Sequence, residues 1–92
     1  MNQVKWTKVD NMYIADYNGH IAQDTELIKA IEKAIKRSKA MKKYILIELL
    51  DNDAITVEIS NLSDEEATKI FSLIITEALI DKEVKRWVEF NN

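Results

Sequence analysis

The sequence predicts an α+β fold with two helices laid on one face of an antiparallel sheet, and three observations lead there. Residues 24–42 and 63–79 each repeat apolar side chains at helical spacing. Two β-rich runs, YILIELL (44–50) and AITVEIS (54–60), flank the polar triplet Asp51-Asn52-Asp53. Pro is absent and Gly occurs once in 92 residues, so little in the chain interrupts regular structure.

Taken in order, residues 4–9 and 12–17 are strand-like, and Asp10-Asn11 between them fits a two-residue hairpin turn. Asn18-Gly19 is a second turn signal. The following HIAQD is too short to argue a strand strongly, so residues 18–23 are expected as a connecting loop, with a short third strand as the alternative. Asp24 or Thr25 then caps a helix reaching about Lys42, whose inner side carries Leu27, Ile28, Ile31, Ala34, Ile35, Ser38 and Met41. Residues 44–50 and 54–60 form a hairpin across the Asp51-Asn52-Asp53 turn. Ser63-Asp64-Glu65-Glu66 is an S-x-x-E capping box opening the second helix, with acidic side chains where the helix dipole favours them. Its inward residues are Ala67, Ile70, Phe71, Ile74, Ile75, Ala78 and Leu79. VKRWVEF (84–90) alternates Val84, Val88 and Phe90 against Lys85, Trp87 and Glu89, which favours a final strand over a short helix.

Without its first strand this order is βαββαβ, that of a ferredoxin-like (split βαβ) open sandwich, here with an additional N-terminal strand. The alternative is a pair of repeated ββα units with a C-terminal helix. Residues 1–92 are expected as a single α+β domain, since a chain of this size buries roughly two-thirds of its unfolded surface around one core.

Composition narrows the function. With no Cys there are no disulfides, thiolate metal sites or cysteine nucleophiles, and a reducing, cytoplasmic setting is the expected one. The longest apolar run, 45–50, is interrupted by Glu48, and MNQVKWTKVD lacks the apolar core of a signal peptide, so no membrane association is expected. Abundant Ile, Lys and Asn suit an AT-rich bacterial or phage genome, and an accessory factor of a mobile element is a fitting setting.

Charge is laid out unevenly. Residues 29–43 hold seven Lys or Arg and one Glu, leaving six basic and fifteen acidic residues to the remainder of a chain whose net charge is −3. Lys29, Lys33, Lys36, Arg37 and Lys43 fall on the outer side of the first helix, either as a plain solvated face or as a partner-binding one. With helices on one sheet face, Ile14, Ile45, Ile47, Leu49, Ile55, Val57 and Ile59 should point towards them. The opposite face then receives Tyr13, Tyr17, Tyr44, Leu46, Glu48, Thr56, Glu58, Trp87 and Glu89. Of these, Tyr13, Tyr17, Tyr44, Glu48, Glu58 and Trp87 are the candidate partner-binding set, because exposed Tyr and Trp are favoured interface anchors. Stacked RNA bases are disfavoured there by the carboxylates.

The catalytic inventory is thin. His20 is the one His and lies beside a turn, Asp51 and Asp53 lack the rest of a calcium-loop pattern, and a lone Gly19 makes no phosphate loop, so no cofactor is expected. The expectation is a small non-enzymatic protein-interaction or regulatory protein whose partner is another protein or a second copy. The alternative is a nucleic-acid-binding module using the basic helix.

Overall fold

The computed structural model describes residues 4–60 and 62–92. Its elements are β1 (Lys5–Val9), β2 (Met12–Tyr17), β3 (His20–Asp24), α1 (Leu27–Arg37), β4 (Lys43–Leu49), β5 (Ala54–Glu58), α2 (Asp64–Leu73), a π-helical turn (Ile74–Ala78) and β6 (Val84–Asn91). The protein is therefore mixed α and β, but its strands form two three-stranded antiparallel sheets, β1-β2-β3 and β5-β4-β6.

This is not the strand order of a ferredoxin-like sandwich, in which β2 would lie between β5 and β6. Asn18 and Gly19 both adopt positive φ (53° and 87°), the geometry of a tight hairpin turn, and send the chain straight back along β2. HIAQD is thus the short third strand rather than a loop. Since β1 takes the other edge of β2, no edge remains to join β5 or β6. The repeated ββα alternative also fails, because residues 84–91 form a strand on β4 instead of a C-terminal helix.

Central β4 is buried on both faces. On one, Ile45, Ile47 and Leu49 join Ile55, Ile59, Ala67, Ile74 and Leu79 beneath α2. On the other, Tyr44 and Leu46 join Ala54, the inner side of α1, and Tyr13, Ala15, Tyr17 and Ala22 of the first sheet. Ala15, Ala22, Ala30 and Ala34 leave room for α1 to approach that sheet closely. The two helices therefore do not share a sheet face. Ile14 points outward from the first sheet, opposite to expectation, because its neighbours Tyr13 and Ala15 face α1.

Helix α1 is shorter than predicted. Its N-cap is Glu26, without a side-chain cap, rather than Asp24 or Thr25; Asp24 braces the preceding turn by accepting the Glu26 N–H at 3.0 Å and the Lys33 ammonium at 2.7 Å. The helix ends at Ser38, where Lys39 turns to the left-handed region (φ 58°). The Asn92 amide donates to the carbonyls of Ile35 and Ala40 and occupies the space a longer helix would need. Met41, expected inward, is 88% exposed, and Lys43 belongs to β4 rather than to the helix.

Helix α2 starts as its capping box predicts: the Ser63 hydroxyl accepts the Glu66 N–H at 3.2 Å and donates to the Glu66 carboxylate at 3.1 Å. At its far end the Leu79 N–H reaches back five residues to the Ile74 carbonyl at 2.9 Å. That extra residue turns Leu79 into the core and leaves Ala78, expected inward, exposed.

Candidate functional site

The face expected to be open carries most of its predicted anchors inside the protein. Tyr44 is fully buried, with Tyr17 edge-on at 6.0 Å and Phe90 stacked at 5.8 Å. Tyr17 donates to its hydroxyl at 3.4 Å. Burial first, and then the Tyr17 hydroxyl, push the Tyr44 phenol far above its usual pKa. Tyr13 is buried against Trp6, ring centroids 5.6 Å apart. Glu58 is exposed on β5 and paired with Lys42 at 3.0 Å. The correction has one cause: α1 and the first sheet cover this face.

Glu48 is 2% exposed. Its carboxylate accepts from the Arg86 Nε at 2.6 Å, and Lys85 approaches the other oxygen at 3.7 Å. Arg86 also reaches Glu26 at 3.5 Å, and Glu26 pairs with Lys29 at 3.1 Å, so the chain of charges ties β6 to the start of α1. Burial opposes the Arg86 charge, but the Glu48 hydrogen bond and the two carboxylates outweigh it and raise its pKa. Glu26, Glu48, Lys85 and Arg86 line a cleft of about 480 Å³ with Lys8 and Tyr13. Both cations that point into Glu48 come from a bulge in β6. Arg86 is opposite Glu48, but Leu49 is opposite Val84, leaving Lys85 as the extra residue.

The bulge also decides where Trp87 points. Simple alternation puts Val84 and Trp87 on opposite faces, whereas one extra residue returns both to the α2 face. Val84 packs in the core there, and Trp87 stacks on Phe71 at 4.2 Å and 24°. Trp87 is thus on the face opposite Tyr44, not beside it, and it remains 38% exposed. Next to it Val88 is 37% exposed on the α1 face.

On β6 the outward backbone groups can be assigned. Asn92 N–H donates to the Lys42 carbonyl at 3.0 Å, and Ile59 N–H to the Lys43 carbonyl at 2.9 Å. Even-numbered residues of β4 therefore bond to β6 and odd-numbered ones to β5. The partners of the even residues are Phe90, Val88 and Arg86, so the N–H and C=O groups of Trp87, Glu89 and Asn91 point away from β4. Among the described residues no strand pairs with that edge.

The basic helix is matched residue by residue. Lys29 pairs with Glu26, Lys33 with Asp24, and Lys36 with Glu32 at 3.2 Å; Arg37 donates to the Ile21 carbonyl. Lys43 approaches Asp64 at 3.5 Å from β4. The structure brings the helical cations onto one surface but threads acidic side chains between them, and Lys43 is not part of that surface.

His20 is exposed at the start of β3, and Asp51 accepts the Asp53 N–H at 3.0 Å as a turn residue. Among the described residues no group of three or more His, Asp or Glu is placed to hold a metal ion, and no helix is long and apolar enough to cross a membrane. Phe71 and Val88, beside Trp87, were read from the sequence only as core-side residues; the adjacent W-V pair following Lys85-Arg86 was the available signal. Comparison with protein-family models, curated proteins and solved structures finds no match.

Proposed function

We propose that this chain is a small non-enzymatic protein-interaction or regulatory protein, and that its contact surface is the β6 edge centred on Trp87. The observation that carries this is the exposed Trp87, already stacked on the part-buried Phe71, beside a strand edge unpaired among the described residues. A Trp whose ring is already held by a neighbour loses little side-chain freedom on binding, and its two-sided chemistry suits interface anchors. Backbone groups along the edge supply directional hydrogen bonds to an added strand. Supporting the preference over nucleic acid is the local pairing of the α1 cations, which leaves fewer free charges to displace counterions from phosphates. A cytoplasmic accessory role in a bacterial or phage mobile element fits the composition.

Co-purification from the source cells tests this. Trp87→Ala should weaken capture of the partner by more than about 2 kcal/mol, as hot-spot truncation does, with the variant still folded. Replacing Lys29, Lys33 and Lys36 together by Gln should leave capture in place. Partner recovery that survives Trp87→Ala but fails with the triple change would move the surface to α1, and salt-sensitive retention of generic DNA or RNA would favour the nucleic-acid alternative.

A further inference from the structure

We propose that the β6 edge pairs with the β6 edge of a second copy, antiparallel about a twofold axis, joining two β5-β4-β6 sheets into one six-stranded sheet. This rests on the reading of the Trp87 surface as an interaction face and names its occupant.

Three features support strand addition at this edge. Trp87 and Val88 are adjacent exposed apolar residues on opposite faces of the same edge strand. A partner lying on one face covers one of them; a strand added at the edge covers both. The other edges are obstructed. Arg37 occupies the Ile21 carbonyl of β3, Ala54 and Thr56 of β5 are fully buried, and β1 is five residues long with Lys5 and Lys8 along it. Natural edges are blunted by such devices, by Pro and by bulges. β6 has no Pro, and its bulge lies at Lys85 and Arg86, where both cations turn inward to Glu48, so residues 87–91 are left unguarded.

The second copy follows from register. A twofold axis through a continued sheet keeps each face on its own side, so residues opposite one another share parity. Trp87, Glu89 and Asn91 hold the outward hydrogen-bonding groups, and only axes at residue 87, 88 or 89 set a residue of the regular segment 87–91 opposite Trp87. Centring on Glu89 sets two carboxylates opposite each other, a destabilising pair. Centring on Trp87 sets Glu89 against the bulge at Lys85, where the ladder is irregular. Centring on Val88 sets Trp87 against Glu89 of the second copy in hydrogen-bonded pairs, and Arg86 against its Phe90. Val88 then meets Val88 of the second copy at a close non-hydrogen-bonded position. No like charges face one another, and both exposed apolar residues are covered in both copies. The edge is thus self-complementary in one register.

The absence of Cys makes the test clean. Directly opposed Cβ atoms in a non-hydrogen-bonded pair are about 4.5–5.5 Å apart, near the reach of a disulfide. Under mild oxidation Val88→Cys should form a covalent dimer at least about 10-fold faster than Ile21→Cys, through the effective concentration of a pre-formed pair. Exposure alone predicts the reverse, since Ile21 is 53% exposed. Sedimentation of the unmodified chain up to ~1 mM, a range chosen because small interfaces are weak, should show a monomer–dimer equilibrium. Val88→Lys, placing two like charges across the axis, should abolish it; Val88→Glu serves the same purpose if the Lys variant does not fold. A chain monomeric throughout that range, or Val88→Cys cross-linking no faster than Ile21→Cys, overturns self-pairing. If such a monomer still captures another protein in a Trp87-dependent way, the interaction reading survives; if capture is independent of Trp87, that reading fails separately.

Discussion

Replacing Arg86 by Met should be among the most destabilising single changes on the surface of this protein. Arg86 donates to a carboxylate that is 2% exposed, at 2.6 Å, and its removal leaves Glu48 with Lys85 at 3.7 Å as its remaining cation. Stranding a buried charge costs about 3–5 kcal/mol. The Arg86 side chain is itself 41% exposed, so solvent already screens the pair, and Lys85 compensates in part; about 2–3 kcal/mol is the expected loss. For a chain of 92 residues this corresponds to roughly 10–20 °C in Tm. Urea unfolding followed by Trp fluorescence measures it. The double change Glu48→Leu with Arg86→Met should recover most of the loss, because replacing both partners of a buried pair by apolar groups is often neutral. A loss below about 0.5 kcal/mol for Arg86→Met alone, the range of an ordinary surface change, would refute the structural role assigned to this pair.

Thr56 has a buried hydroxyl without a hydrogen-bond partner among the described residues, so Thr56→Val should be neutral or stabilising by about 1 kcal/mol in the same unfolding assay, where a valine fills the same shape. Asp24 is held at about pKa 2 by the Lys33 hydrogen bond first and the Glu26 N–H second. A depressed carboxylate stabilises the fold above its unfolded value near 4, and that contribution is lost as pH falls through 2; an NMR titration of Asp24 with a midpoint near 4 would contradict it.

Much of the fold was legible where the determinants are local. The Ser63 capping box, the turns at Asp10-Asn11 and around Asn52 (φ 63°), and both helical stripes depend on neighbours a few residues apart. What escaped depends on distant groups. At the end of α1 the Ser38 hydroxyl and the Lys39 turn are local, but the Asn92 amide that satisfies the Ile35 carbonyl comes from 57 residues away, and nothing within residues 27–42 announces it. YILIELL did carry a sign of its position: a nearly continuous apolar run marks a strand covered on both faces, whereas assigning both helices to one face left Tyr44 and Glu48 nominally outside. At the candidate site the sequence identified Trp87 but not its direction. A single bulged residue reverses strand parity, and alternation counted across it gives the wrong face.

The position of β4 between β5 and β6 also orders events during synthesis. β5 follows within a few residues of β4, so that side of the ladder closes as a hairpin, but β6 leaves the ribosome about forty residues later. At translation rates of 5–20 residues per second, the Tyr44, Leu46 and Glu48 backbone waits about 2–8 s for its partner strand. During that interval the growing chain offers an unpaired central strand next to an uncompensated Glu48. Arrival of the Lys85 and Arg86 bulge closes the edge and neutralises the carboxylate in one step, which makes the last strand the latch of the nascent fold.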